Sequence, residues 1–88
     1  MIVRTFVVTG RVQGVGYRYF AQKAAVALKL QGWVRNLPGG SVECLAAGSA
    51  AALAQFEDRL RQGPMLARVD SIESTDSQGD SIEGFHIR

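Results

Sequence analysis

Near the middle of the chain a turn written Pro38-Gly39-Gly40 separates two short segments of strand character, Trp33–Leu37 and Ser41–Ala47. The pattern on either side of that turn is the same: strand, helix, strand. A chain that repeats this unit across a hairpin has few ways to bury its apolar faces, because each helix must lie on a sheet shared with the other half.

The segments themselves are readable. Ile2–Val12 is strand-like, rich in Val3, Phe6, Val7, Val8 and Val12 with partial alternation, and Gly10 inside it signals a bulge or a close backbone approach. Gln13-Gly14-Val15-Gly16 breaks the pattern as a tight loop. The helix predicted over Tyr17–Leu30 places Tyr17, Phe20, Ala21, Ala24, Ala27 and Leu28 on one stripe, and Gly32 just beyond can help to end it. Ser49 is the expected N-cap of a second helix, Ala50–Arg61, whose stripe is Leu53, Phe56 and Leu60 and whose stop is Gly63-Pro64. Val69–Thr75 is a further strand, Gln78-Gly79-Asp80 a turn, and Gly84–Arg88 a short last strand. The order β-α-β-β-α-β plus that strand predicts an α+β fold, the ferredoxin-like sandwich, with an antiparallel sheet and both helices on one face.

With 88 residues this is expected to be one domain, 1–88, with one modest core and no room for a separate cofactor domain. No apolar run approaches the roughly 18 residues that span a bilayer, and the start of the chain has no signal-peptide layout, so a cytoplasmic location is expected. The only cysteine, Cys44, stands among Val42, Leu45 and Ala46 and reads as a buried structural thiol. One Cys and one His, His86, cannot assemble a zinc-type site of soft ligands. Charge is uneven. Residues 1–40 carry Arg4, Arg11, Arg18, Lys23, Lys29 and Arg35 and no carboxylate, whereas all eight acidic residues fall in 41–88. That first stretch suits an anionic ligand, or forms a solvated basic face.

The loop between first strand and first helix is the informative segment. Glycines feeding a helix N-terminus aim several backbone N–H groups at one point, and the helix dipole adds positive potential there. Arg18, in the first turn, can fold over the loop and make two parallel hydrogen bonds to phosphate oxygens. A cation there opposes the dipole by a few tenths to about 1 kcal/mol, a placement that makes sense with an anion between them. The plainer alternative is a solvent-facing arginine beside an ordinary turn. No lysine follows the glycines as in a nucleotide P-loop, and Tyr19 stands where a dinucleotide fingerprint needs a small residue, so a small phosphate group fits better than a nucleotide.

Gly10-Arg11-Val12-Gln13-Gly14-Val15-Gly16-Tyr17-Arg18, followed by Gly32-Trp33-Val34-Arg35-Asn36, resembles both signature segments of the acylphosphatases. Ser41-Val42-Glu43 and Gly63-Pro64 also fall where that family has similar residues, so the resemblance covers essentially the whole chain. It implies the ferredoxin-like fold and hydrolysis of acyl phosphates to a carboxylate and inorganic phosphate, without metal or other cofactor. It implies that Gln13, Gly14, Val15, Gly16 and Tyr17 supply phosphate-binding amides, that Arg18 binds the phosphate, and that Asn36 orients the attacking water. Departures are small: Tyr17 stands where many members have Phe, Gly39 where Asp is usual, and Cys44 for an aliphatic residue.

The residues suit that chemistry. The leaving carboxylate, with a conjugate acid of pKa about 4, departs without a general acid. Phosphoryl transfer then needs mainly positioning and charge stabilisation. Asparagine is a poor base, so the proton is expected to pass to the substrate phosphate. Asn36 also suits turn chemistry before Leu37-Pro38-Gly39, His86 reads as a strand residue, and Trp33 and Tyr19 read as packing residues. Two other functions remain on the table. One is a non-catalytic anion-binding domain of the same fold. The other is a single-stranded RNA binder, disfavoured because Ser41–Gly48 has no stacking aromatic. The expectation is a monomer acting on a small-molecule acyl phosphate, with neither nucleic acid nor membrane as partner.

Overall fold

The structure is a computed structural model describing residues 1–79 and 82–88. Its elements run β1 Ile2–Arg11, α1 Tyr17–Ala27, β2 Gln31–Asn36, β3 Val42–Gly48, α2 Ala50–Gln62, β4 Arg68–Asp76 and β5 Phe85–Ile87. The expected ferredoxin-like order is therefore present. The sheet runs β4-β1-β3-β2-β5.

Period-2 alternation decides what the helices cover. Phe6 and Val8 of β1, Val42, Cys44 and Ala46 of β3, Val34 of β2 and Phe85 of β5 all point to one face and are buried there. Onto that face α1 lays Tyr17, Ala21, Ala24 and Ala25, and α2 lays Leu53, Phe56 and Leu60. Phe56 meets Phe6 and Phe85 edge-on, with ring centroids 5.6 and 5.9 Å apart, and so fastens α2 across the sheet. The small alanines of α1 let that helix lie close.

Four strands are antiparallel as expected, but β5 pairs parallel with β2, which makes the sheet mixed. The reason is topological. β4 sits at one edge, and the chain must cross the sheet to reach a free edge. It starts along β1, where Ser77 N–H donates to the Val3 carbonyl, and Gly79 lies over Val3 and Leu45 on the face the helices leave free. Returning from that side, β5 runs opposite to β4, and β4 runs opposite to β2. Of the predicted turn Gln78-Gly79-Asp80, Asp80 lies outside the described residues.

Gly10 is the bulge its position suggested. The β1–β4 register shifts between Thr9 and Gly10, and a Cβ on Gly10 would stand 2.1 Å from the Arg68 carbonyl oxygen. The end of α1 differs from expectation. Gly32 lies inside β2, where its Cβ would collide with the Leu45 carbonyl at 1.8 Å, and takes no part in the stop. Lys29 makes the stop instead, with φ of 59°: its N–H bonds the Val26 carbonyl and that of Leu30 bonds the Ala25 carbonyl. This is a Schellman closure with Leu30 buried behind it. No helix among the described residues is long and apolar enough to cross a membrane.

Candidate active site

β1, β2 and β5 run in the same direction, so their C-terminal ends lie at one end of the sheet, and α1 starts there because it follows β1. That shared end gathers the site. Val34 faces the helices, so Asn36, two residues on, faces the same way at the mouth of the sheet. Ile87 pairs with Val34 and shares that face. Gly14, Gly16, Tyr17, Arg18, Tyr19, Asn36, Ile87 and Val12 line one cleft of about 210 Å³.

The loop is built to leave donors free. Gly14 and Gly16 have φ of 73° and 79°, and a Cβ at either would meet no protein atom within 4 Å. The dihedral, and not crowding, calls for glycine here. Residues 13–16 form bends without a hydrogen-bonded turn, and the first helical bond runs from Phe20 N–H to the Gly16 carbonyl. None of the backbone N–H groups from Gln13 to Tyr19 donates to a partner among the described residues, and no side chain caps α1. A row of unpaired donors at a helix N-terminus is an anion site.

Arg18 lines the same cleft without a carboxylate partner among the described residues. Its Nη1 donates to the Arg88 carbonyl at 3.2 Å, which leaves most of the guanidinium fork free. The Arg88 side chain turns to the other face, where it and Arg35 each lie 4.9 Å from the Trp33 ring, and Arg35 pairs with Glu43 at 2.7 Å. Gln22, one turn after Arg18, donates to the Phe85 carbonyl at 2.9 Å. Thus α1 holds β5 at two points.

Of the seven residues expected at the site, Gly14, Gly16, Tyr17, Arg18 and Asn36 meet at the cleft, while Gln13 and Val15 do not line it. The Gln13 side chain turns away to donate to the Leu37 and Ser41 carbonyls at 2.8 and 2.9 Å. One side-chain amide thereby ties the loop before α1 to the hairpin that carries Asn36. Tyr17 is buried, and its hydroxyl donates to the Leu60 carbonyl at 2.7 Å near the end of α2. Burial pushes its phenol far above the ordinary range, with a smaller contribution from Cys44, so it stays a neutral donor. The Cys44 thiol is likewise pushed far up by burial, then by Glu43, and is no nucleophile. His86 pairs across from Trp33 on β5, bonds the Glu83 carbonyl and does not line the cleft.

Tyr19 corrects its sequence reading. It is 66% exposed and lines the cleft, so it is not a packing residue. Tyr17 and Tyr19 lie about 200° apart around a helix, and Tyr17 takes the core side. Gln13's reach, Arg88 and Ile87 were missed altogether. Only a strand-end signal near the C-terminus hinted at the last two. Among the described residues no group of three or more His, Cys, Asp or Glu comes together as a metal site would need.

A family model described as "Acylphosphatase" matches residues 4–87. A Thermus thermophilus protein named acylphosphatase is 51% identical over 91% of this chain and 91% of its own length. One of the same name from Rhodopseudomonas palustris is 49% identical over 99% of this chain and 85% of its own length. The crystal structure of acylphosphatase from Bacillus subtilis superposes with a TM-score of 0.96 at 40% identity, covering 100% of this chain and 99% of that one.

Proposed function

The chain belongs to the acylphosphatase family and hydrolyses acyl phosphates to a carboxylate and inorganic phosphate, and from that premise we propose that the cleft of Gly14, Gly16, Arg18 and Asn36 is where this happens. It is a hydrolase of the carboxyl–phosphate anhydride bond. The observation that carries the site assignment is the unbroken run of N–H groups from Gln13 to Tyr19 that find no partner among the described residues, at a cleft lined by a guanidinium that has no acidic partner among them either.

In this reading the non-bridging oxygens of the substrate lie on the loop amides and on two N–H groups of Arg18, which stay fixed while charge redistributes. The amides come from Gln13, Gly14, Val15, Gly16 and Tyr17; Gln13 and Val15 offer the backbone only. The Asn36 side-chain carbonyl accepts from a water and aims it at phosphorus, in line with the departing carboxylate. The water oxygen forms the new P–O bond, the bridging P–O bond breaks, and its electron pair leaves on the carboxylate. The water proton passes to a phosphate oxygen, since Asn36 cannot take it. Metal is not needed, because Arg18 and the dipole of α1 supply the positive charge. The Gln13 clasp keeps Asn36 and the loop in register. The same reading has residues 1–88 acting as one monomeric domain in the cytoplasm, in keeping with a single unpaired, buried thiol.

The test is turnover of acetyl phosphate with a chelator present. Arg18→Ala is expected to cost about 10³-fold in kcat/KM and to weaken competitive inhibition by inorganic phosphate. Asn36→Ala is expected to lose kcat, roughly 10²-fold, with phosphate inhibition kept. Turnover unchanged in both variants refutes the assignment, and turnover abolished by the chelator refutes the metal-free step.

A further inference from the structure

The phosphate cradle accounts for one side of the cleft only. The rest of its lining that the hydrolysis itself does not use is apolar: buried Val12 and, exposed to an incoming ligand, Tyr19 of α1 and Ile87 of β5. Resting on the phosphate site described above, we propose that Tyr19 and Ile87 form an acyl-group subsite that favours acyl phosphates with a compact, bulky apolar acyl group, such as an aromatic ring, over acetyl phosphate.

Single exposed apolar side chains are ordinary on protein surfaces. Here two of them, 66% and 40% exposed, come from opposite ends of the chain and face one cleft beside the same arginine. Ile87 is exposed although it pairs with fully buried Val34 on the helix-covered face, because the sheet and α1 both end there. Ile87 is held in place. Arg88 N–H donates to the Val34 carbonyl at 2.9 Å, and Gln22 and Arg18 hold the carbonyls of Phe85 and Arg88 on either side of Ile87. A tyrosine ring has few torsions to freeze, so it offers contact area at low entropic cost.

The substrate's geometry leads to the same two residues. Once the phosphate oxygens occupy the amides and Arg18, the acyl carbon lies one bridging oxygen away and its substituent must run along what remains of the cleft. A cleft of about 210 Å³, small beside the sites of drug-sized ligands, has room for one ring beside a phosphate. Among the described residues no carboxylate lines the cleft, so an acyl group bearing an ammonium gains no partner from them.

The experiment compares kcat/KM for benzoyl and acetyl phosphate in the wild type, Tyr19→Ala, Tyr19→Phe and Ile87→Ser, with the inhibition constant of inorganic phosphate measured alongside. Comparing the benzoyl-to-acetyl ratio across variants cancels the different leaving groups. Tyr19→Ala is expected to lower that ratio about fivefold and Ile87→Ser about threefold, mainly through a higher KM for benzoyl phosphate, as lost apolar contact predicts. Tyr19→Phe keeps the ratio, and phosphate inhibition stays within twofold in all three. A ratio unchanged in both Tyr19→Ala and Ile87→Ser overturns the subsite. If Arg18→Ala leaves phosphate inhibition intact, the cradle assignment fails instead, and the two failures are told apart by which constant moves.

Discussion

The two helices of this chain treat their ends in opposite ways. α2 follows the ordinary rules: Ser49 accepts from Ala52 N–H at 3.1 Å, Arg59 and Arg61 stand in the last turn, and Gly63 with φ of 66° closes it. α1 breaks them at both ends. Gly16 enters in the left-handed region and caps nothing, the first turn holds Arg18 and no acid, and the exit is made by Lys29, a non-glycine at φ of 59°. Both helices pack on the same core, so packing does not separate them. The difference at the N-termini fits the phosphate site proposed for α1. α2 gives end donors to its own serine, whereas those of α1 find no partner among the described residues and are left for the phosphate of the proposed function. The exception at Lys29 lies at the far end of α1, and nothing in the structure ties it to the site.

Among changes to the helix ends, the largest expected effect comes from closing the open one. Gly16→Asp puts a carboxylate among the free amides and a Cβ on a backbone with positive φ. It is expected to lower kcat/KM about 10²-fold and to weaken phosphate inhibition in parallel. Turnover within threefold of wild type would erase the functional side of the contrast. Ser49→Ala opens the closed end. It is expected to cost about 1 kcal/mol of stability, a fall of roughly 4–8 °C in Tm, with acetyl phosphate turnover at 25 °C within twofold of wild type. A Tm shift below 1 °C would mean that the Ser49 cap carries no weight. Smallest is Lys29→Gly, which relieves a left-handed residue but adds chain entropy to the unfolded state. A net gain of about 0.5 kcal/mol is expected, read as a higher urea midpoint at unchanged slope and unchanged activity. A loss of turnover there would show that α1's irregular exit also serves the site.

Features written in short stretches of chain were legible. The glycine loop ahead of Arg18, the Ser49 cap and the hairpin at Pro38-Gly39-Gly40 each depend on residues within a turn of one another, and local dihedral and hydrogen-bond needs select those residue types. Asn36 was legible only through resemblance, since beside Leu37-Pro38 it also suits a plain turn. The Gln13 clasp on Leu37 and Ser41, the Tyr17 hydroxyl on Leu60 and the helix exit at Lys29 carried no such mark. The first two span 24 to 43 residues, and the third goes against residue preference.

The sequence by itself determined the succession of strands and helices, the core stripe of α2 and a glycine loop at the head of α1, because periodicity and glycine placement are local properties of a chain. Only the tertiary structure decided that β5 would run parallel to β2, that Ile87 and Tyr19 would line one cleft and that Arg18 would rest on the Arg88 carbonyl. Those outcomes depend on which sheet edge stays free after β4 has taken the other, and edge choice is settled by the packing of the whole sheet and by no single stretch of residues.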